Sequence, residues 1–147
     1  MSVELLIKDS QWRRARGLGA RVKSAAARAL KEAHRKGDLT VLLTGDEDIR
    51  ALNLSFRGLD APTDVLSFPA ATKAYLGDVA LAYGVTAKDA KRSGKRLGDH
   101  AAHLVVHGVL HLLGYDHMTA HEAKAMQALE TRVLRTLGIA DPWAEAA

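Results

Sequence analysis

Apolar and polar positions along this chain alternate between the period of strands and the period of helices. Short apolar runs bounded by turn residues predict four strands, at Val3 to Ile7, Leu39 to Leu43, Asp64 to Phe68 and Leu76 to Ala82. Apolar stripes at helical spacing predict about five helices, at Leu18 to Lys36, Thr44 to about Phe56, Thr86 towards Arg96, Asp99 to Leu113 and Thr119 to Leu137. The pattern predicts a small α+β (α/β-like) domain of four strands and about five helices.

Residues with preferences for helix ends mark several of these boundaries. The windows Thr44–Glu47 and Thr119–Glu122 both have the spacing of a capping box, in which a hydroxyl and a carboxylate satisfy the first backbone N–H groups of a helix. Gly37 is predicted to close the first helix, and Thr86 to cap the third.

Length and composition indicate one domain over residues 1–147. The chain has 147 residues, and 48% of them are hydrophobic, which is enough for a core. It has no cysteine, which excludes disulfides and thiolate ligands and favours a cytoplasmic protein. No apolar run approaches the ~18 residues of a membrane span. The stretch from Met1 to Arg16 does not resemble a signal peptide.

Positive charge is concentrated in two parts of the chain. The formal net charge is +4 at pH 7. One basic group lies in the first quarter, and the second lies just before the histidine-rich helix. The first comprises Arg13, Arg14, Arg16, Arg21, Lys23, Arg28, Lys31, Arg35 and Lys36, and the second comprises Lys88, Lys91, Arg92, Lys95 and Arg96. The charge permits an RNA or DNA partner, although such runs are usually solvated helix faces.

Three histidines near the end of the fourth predicted helix form the most informative motif. His107 and His111 are four residues apart, so on a helix both rings lie on one face. Gly114 suits a left-handed helix end, after which the chain can return His117 to the same point. Three imidazoles with one open position are the ligands of a catalytic zinc site. The spacing predicts one Zn²⁺ at these histidines, although nickel or cobalt would also fit.

Two residues beside the motif narrow the chemistry. Gly108 stands where the H-E-x-x-H pattern of zinc proteases has its general base, which argues for a hydrolytic centre with other chemistry. His103 precedes His107 by one turn, and we interpret it as a substrate contact or a core histidine rather than as a partner of the ligands. The alternative for the whole cluster is packing without metal. Buried polar groups without partners cost roughly 1–3 kcal/mol each, which favours the shared ion.

Motifs outside the histidine helix resemble those of a known family. They comprise Asn53, Arg57, Asp60, the run Pro62-Thr63-Asp64-Val65-Leu66-Ser67-Phe68-Pro69 and the run Leu76-Gly77-Asp78-Val79. Together with the histidine motif they make the chain similar to the YbeY family, bacterial rRNA maturation factors described as metal-dependent, single-strand-specific endoribonucleases. The resemblance covers Leu39 to Met126.

The resemblance implies a single zinc-dependent endoribonuclease domain with a mixed four-stranded sheet and the metal in a cleft. It implies the ligands His107, His111 and His117, on a buried helix and the turn after it, and it matches the family's functional arginine to Arg57. The implied substrate is single-stranded ribosomal RNA, above all the 3′ end of the small-subunit RNA. Small-subunit partners and a role in ribosome quality control are implied as well.

Several alternatives stay open at this point. The group that moves the proton in the reaction is Asp116, Asp78 or neither. The nucleophile is either water or an RNA 2′-hydroxyl. Tyr115 and Phe56 either stack on unpaired bases or pack in the core. The competing functions are a non-catalytic zinc-containing ribosome-assembly factor and another zinc hydrolase. The sequence does not predict the oligomeric state.

Overall fold

The computed structural model describes residues 2–70, 72, 74–116 and 118–140. The strands are β1 (Val3–Ile7), β2 (Asp38–Thr44), β3 (Val65–Pro69) and β4 (Tyr75–Ala82). The α-helices are α1 (Leu18–Glu32), α2 (Asp46–Arg57), α3 (Tyr83–Arg92), α4 (Leu97–Leu112) and α5 (Ala120–Thr136). A short 3₁₀ helix that the pattern did not predict spans Ser10–Arg14.

The four strands form one mixed sheet in the order β1-β2-β4-β3. The pairs β1–β2 and β2–β4 are parallel, and β3 runs antiparallel to β4 along one edge. In register, Val41 pairs with Val79, which in turn pairs with Ser67. The α+β class and the four-stranded mixed sheet are therefore confirmed.

The two faces of the sheet carry separate cores, because successive side chains of a strand point to opposite sides. The side of Val41 and Val79 holds the main core, where β1 contacts α1 while β3 and β4 contact α4. The side of Leu42 and Ala80 holds a smaller core against α2. We call the first side the histidine face and the second the open face.

The central helix of the fold is α4, which contacts α1, α3, α5 and two strands. It is surrounded on most sides, as its apolar composition predicts. Its fully buried residues are Ala101, Ala102, Val105, Val106, Val109 and Leu110. The histidines of α4 lie on its one stripe that is only half-buried. A buried helix thus presents its polar residues in a single direction.

Two predicted boundaries near the first two helices are wrong. The helix predicted to Lys36 ends at Glu32, because His34 takes a left-handed conformation with φ of 55° three residues before Gly37. At Thr44–Glu47 the N-cap residue is Gly45. Thr44 remains in β2, and its hydroxyl donates to Asp48 at 2.6 Å. The Thr44 hydroxyl therefore bonds the side chain of Asp48 and does not cap the backbone N–H groups of α2.

The third helix also starts earlier than predicted. Thr86 does not cap it but lies fully buried within α3, which follows β4 directly. Its first turn is satisfied from elsewhere in the chain, since the carboxylate of Asp46 accepts from the backbone N–H of Val85 at 3.1 Å. The predicted N-cap of α5 is confirmed, because the hydroxyl of Thr119 accepts from the N–H of Glu122 at 3.1 Å.

Candidate metal centre

Two of the three predicted ligands face each other on the half-buried stripe of α4. The Nε2 atoms of His107 and His111 are 3.0 Å apart. Their ring centroids are 4.5 Å apart at an interplanar angle of 80°. The structure therefore confirms that the i, i+4 spacing brings both rings to one point.

The other nitrogen of each ring is bound to a group that can only accept. Nδ1 of His107 lies 2.7 Å from Oε1 of Glu130, and Nδ1 of His111 lies 2.9 Å from the carbonyl oxygen of Tyr115. A carboxylate or a carbonyl requires the proton on Nδ1, and a neutral imidazole then has its lone pair on Nε2. Two lone pairs thus point to the same place, which is the arrangement that a cation stabilises.

The turn after α4 supplies the carbonyl that holds His111. Gly114 has φ of 97°, as its predicted left-handed role requires. The N–H of Tyr115 donates to the carbonyl of Leu110, and the N–H of Gly114 donates to that of His111, both at 3.0 Å. This is the Schellman pattern of a helix end, and it directs the Tyr115 carbonyl back towards the helix.

Glu130 of α5 is a functional candidate that the sequence reasoning missed. Its side chain is 1% exposed, and its second oxygen lies 3.0 Å from Nε2 of His103. Burial by itself would raise the pKa of Glu130, but hydrogen bonds from His103 and His107 outweigh it and lower the pKa to about 2. His103 is therefore a partner of the carboxylate behind His107, and its interpretation as a substrate contact or a core histidine stays a prediction.

Gly108 shows why the position beside His107 carries no general base. A Cβ atom there would lie 2.6 Å from Cγ1 of Val79 and 3.2 Å from Oγ of Ser67. Ser67 also donates its hydroxyl proton to the Gly108 carbonyl at 2.8 Å. The position faces the sheet, so a glutamate would collide with β4 rather than reach the histidines.

The donors fit a bound metal ion. Zinc–imidazole bonds of about 2.0–2.1 Å allow two nitrogens on one ion to be at most about 4.2 Å apart. The measured 3.0 Å between the Nε2 atoms meets that limit. Across residues 2–70, 72, 74–116 and 118–140, no three His, Asp or Glu side chains group as a metal site. The third predicted ligand, His117, lies outside the described residues, so the ligand set and the zinc remain predictions.

The predicted arginine is carried by α2 rather than by the histidine helix. Arg57 is the exposed last residue of α2, which packs on the open face. Among the residues that the structure describes, no hydrogen bond or ion pair joins Arg57 to His107 or His111. Its role in binding substrate stays a prediction.

Asp78, one of the candidates left open for moving the proton, lies on the open face rather than beside the histidines. Asp78 accepts a hydrogen bond from the Tyr75 hydroxyl and lines a cavity of about 300 Å³ on the open face. Its neighbour Val79 points instead to the histidine face, because adjacent residues of a strand alternate. Asp116 lies in the turn after α4, and its part in the reaction stays a prediction.

The two aromatic residues proposed for base stacking differ in exposure. Phe56 is 69% exposed, and its ring centroid lies 5.2 Å from that of Phe68. Tyr115 is half-buried against the main core. The structure therefore places Tyr115 in core packing and leaves Phe56 accessible.

The two basic groups of the sequence meet in the fold. Arg16 and Arg21 from the first group, and Arg96 from the second, line one cavity of about 440 Å³ at the start of α1 and α4. Arg21 is paired with Asp99 at 2.6 Å, whereas Arg16 and Arg96 are exposed. Residues that are distant in sequence thus form one positive surface.

One family of known proteins matches this chain over most of its length. The family described as Endoribonuclease YbeY matches residues 7–138. The chain belongs to the YbeY family. The match includes α4, α5, strands β2 to β4 and only the last residue of β1, so it covers both the histidine pair and Glu130.

Curated relatives extend the YbeY match over nearly the whole chain. The chain is 44% identical to "Endoribonuclease YbeY" of Rhodopseudomonas palustris (strain HaA2), over 98% of this chain and 82% of that protein. It is 42% identical to the protein of the same name from Maricaulis maris, over 97% and 91%. It is 47% identical to that of Chelativorans sp., over 88% and 83%.

A solved structure shares the fold of this YbeY chain. The solution structure of a Thermotoga maritima protein superposes with a TM-score of 0.58, covering 96% of this chain and 98% of the other. The sequence identity is 22%, so this likeness concerns the fold alone. In the described part of the chain, no helix combines the length and apolar character that crossing a membrane requires.

Proposed function

We propose that this chain is a metal-dependent, single-strand-specific endoribonuclease that acts in rRNA processing, including maturation of the small-subunit RNA 3′ end, and in ribosome quality control. The observation that carries the proposal is the pair of Nε2 atoms 3.0 Å apart, each on a ring whose Nδ1 faces an acceptor. Membership of a family named for endoribonuclease activity supports RNA as the substrate.

The histidines would hold one zinc ion, with His107 and His111 from α4 and His117 from the segment that follows. When bound, the zinc would supply Lewis-acid charge and would lower the pKa of a coordinated water towards neutrality. Glu130 and the Tyr115 carbonyl fix the proton on each Nδ1, so the rings present their lone pairs without rearrangement. Gly108 lets α4 approach the sheet closely and keeps this position free of a carboxylate.

Arg57 is the residue that we assign to the scissile phosphate. A guanidinium offers a planar pair of donors that matches phosphoryl oxygens. Its exposure at the end of α2 leaves those donors accessible to a strand lying across the molecule. Gly58 ends the helix with φ of 70°, so Arg57 stands at a fixed turn rather than in a loop.

Substrate binding is supported by the positive surface of Arg16, Arg21 and Arg96. Contacts from arginine to phosphate depend on salt and tolerate any sequence. The chain is only 5% aromatic, which favours backbone contacts over base stacking. This composition fits an enzyme that selects unpaired RNA by accessibility rather than by sequence.

The test compares purified wild type, His111→Ala, Arg57→Ala and the control Arg135→Ala, an exposed arginine at the end of α5. We expect His111→Ala to lose both zinc and cleavage of unstructured RNA. Arg57→Ala should keep zinc and lose most cleavage, and Arg135→Ala should retain both.

Two outcomes would contradict the proposal. Equal cleavage by all four preparations would assign the activity to a contaminating nuclease. Restoration of rRNA maturation in cells by a folded variant that does not cleave RNA would instead identify the chain as a non-catalytic assembly factor.

A further inference from the structure

We propose that Glu130 is the positioning residue of the metal centre, holding His107 in the tautomer and orientation that present Nε2 to the ion. The inference rests on the metal-binding part of the proposed function. It concerns a residue on α5, a different helix from the one that carries the histidine pair.

The location of Glu130 is unusual for a carboxylate. It lies on the apolar stripe of α5, beside Leu129, Val133 and Leu134, and its side chain is 1% exposed. Removing a carboxylate from water costs several kcal/mol unless partners compensate. An apolar residue at this position would pack α5 against α4 without that cost. Packing alone therefore does not explain a carboxylate at this position.

Each oxygen of Glu130 accepts a hydrogen bond from a histidine on the half-buried stripe of α4. Oε1 lies 2.7 Å from Nδ1 of His107, and Oε2 lies 3.0 Å from Nε2 of His103. An ionised carboxylate accepts only, so each ring must donate. For His107 this leaves the lone pair on the nitrogen that faces His111. His103 holds the second oxygen and so limits rotation of the carboxylate.

The two metal-facing histidines have different supports. His111 donates to a neutral carbonyl that the Gly114 turn places, whereas His107 donates to a charged carboxylate. A charged acceptor makes the ring a more basic ligand and orients it more strongly. We therefore infer that Glu130 controls the affinity of the site through His107 alone.

A purely structural ion pair is the competing explanation, and metal affinity separates the two. The removal variant is Glu130→Met, which keeps an apolar residue of similar length on the stripe and deletes both acceptors. Glu130→Gln is the conservative variant, because its amide oxygen can still accept from one ring. Glu47→Met makes the same change at an exposed site in α2 and serves as the control.

The first measurement is the zinc dissociation constant of each folded variant, obtained by competition with a chromophoric chelator. Loss of a group that supports a metal ligand typically weakens binding about 10- to 100-fold. We expect this loss in Glu130→Met, a smaller loss in Glu130→Gln and none in Glu47→Met. Zinc binding by folded Glu130→Met within about twofold of wild type would overturn the inference.

The second measurement needs no variant and no metal. Nitrogen-15 chemical shifts of metal-free wild type report which ring nitrogen of His107 carries the proton. The inference predicts that a neutral His107 ring carries its proton on Nδ1, and a neutral ring with its proton on Nε2 instead would overturn it even if Glu130→Met fails to fold. Neither measurement uses RNA, so an absence of cleavage would count against the proposed function and leave the role of Glu130 standing.

Discussion

The two sides of the sheet each hold a carboxylate, Glu130 on one and Asp78 on the other, and the two carboxylates have different partners. On the histidine face, α1 and α4 contact the sheet, and Glu130 of α5 is paired with two imidazoles at 2.7 and 3.0 Å. On the open face, α2 covers the sheet only in part, and Asp78 lies in an open cavity of about 300 Å³ bonded to a phenol hydroxyl.

The difference lies in what each carboxylate faces. Glu130 faces His107 and leaves the Nε2 lone pair of that ring, a good zinc ligand, free to point at His111, whereas Asp78 accepts from the hydroxyl of Tyr75, which is also bonded to the Thr40 hydroxyl. Burial raises the pKa of Tyr75, as does its hydrogen bond to Asp78, so this phenol stays neutral at physiological pH. We therefore expect substitutions of the histidines and Glu130 to change metal binding and substitutions on the open face to leave it unchanged.

The largest expected effect is on the histidine face. His107→Ala removes a nitrogen that faces the metal position, and we expect zinc binding to weaken by more than about 100-fold. His34→Asn is the control, because this exposed residue has φ of 55°, which asparagine tolerates. Equilibrium dialysis of both variants measures the effect, and unchanged zinc in His107→Ala would exclude this residue as a ligand.

The packing of α4 on the sheet should respond next. Gly108→Ala forces Val79 to move, which costs about 1–3 kcal/mol of unfolding free energy, offset by about 1 kcal/mol of helix propensity. Gly98→Ala is the control on the same helix, since its Cβ would meet only Cδ of Arg21, at 3.6 Å. Urea denaturation should show Gly108→Ala less stable than Gly98→Ala, and the reverse order would refute the close contact.

On the open face, Asp78→Asn should change stability without changing metal binding. The amide oxygen of asparagine can still accept from Tyr75, but the acceptor is no longer charged, which predicts a cost of about 1 kcal/mol in the free energy of unfolding. Zinc affinity should stay within about twofold of wild type, because the sheet separates the sites. A tenfold loss of zinc affinity would mean that the two faces are coupled.

The smallest expected effect is on the pH dependence of stability, through His100, the first histidine of α4. Burial is the main cause that lowers the pKa of His100 from 6.5, and His103 and Lys95 act in the same direction. Below pH 6.5 the unfolded chain therefore takes up a proton before the folded chain does, and stability falls as pH falls. His100→Leu should flatten that decline between about pH 7 and pH 5 in thermal melts. An unchanged slope would contradict this assignment.

The local parts of the fold and site could be predicted because they depend on short-range spacing. The strands fall within one or two residues of their predicted bounds. The pairing of His107 with His111 follows from the helical period. The left-handed conformation of Gly114 follows from its place after an apolar helix, and the cap at Thr119 follows from its hydroxyl.

What escaped prediction depends on contacts between distant elements. Glu130 acts on His107 from 23 residues away, and only the packing of α5 on α4 decides that it faces the rings. A signal did exist, because Glu130 interrupts the apolar stripe that runs from Met126 to Leu134. The side of the sheet on which Asp78 lies could not be predicted, because strand alternation does not reveal which side the histidine helix will cover.

The central claim is that imidazole nitrogens of α4 bind one metal ion on the histidine face. The zinc-edge X-ray absorption spectrum of the chain loaded with one equivalent of zinc tests it most directly. We predict imidazole scattering from at least two histidines in wild type, and its loss in the His107→Ala, His111→Ala double variant. A spectrum with oxygen ligands only, or one that the double substitution leaves unchanged, would contradict the claim.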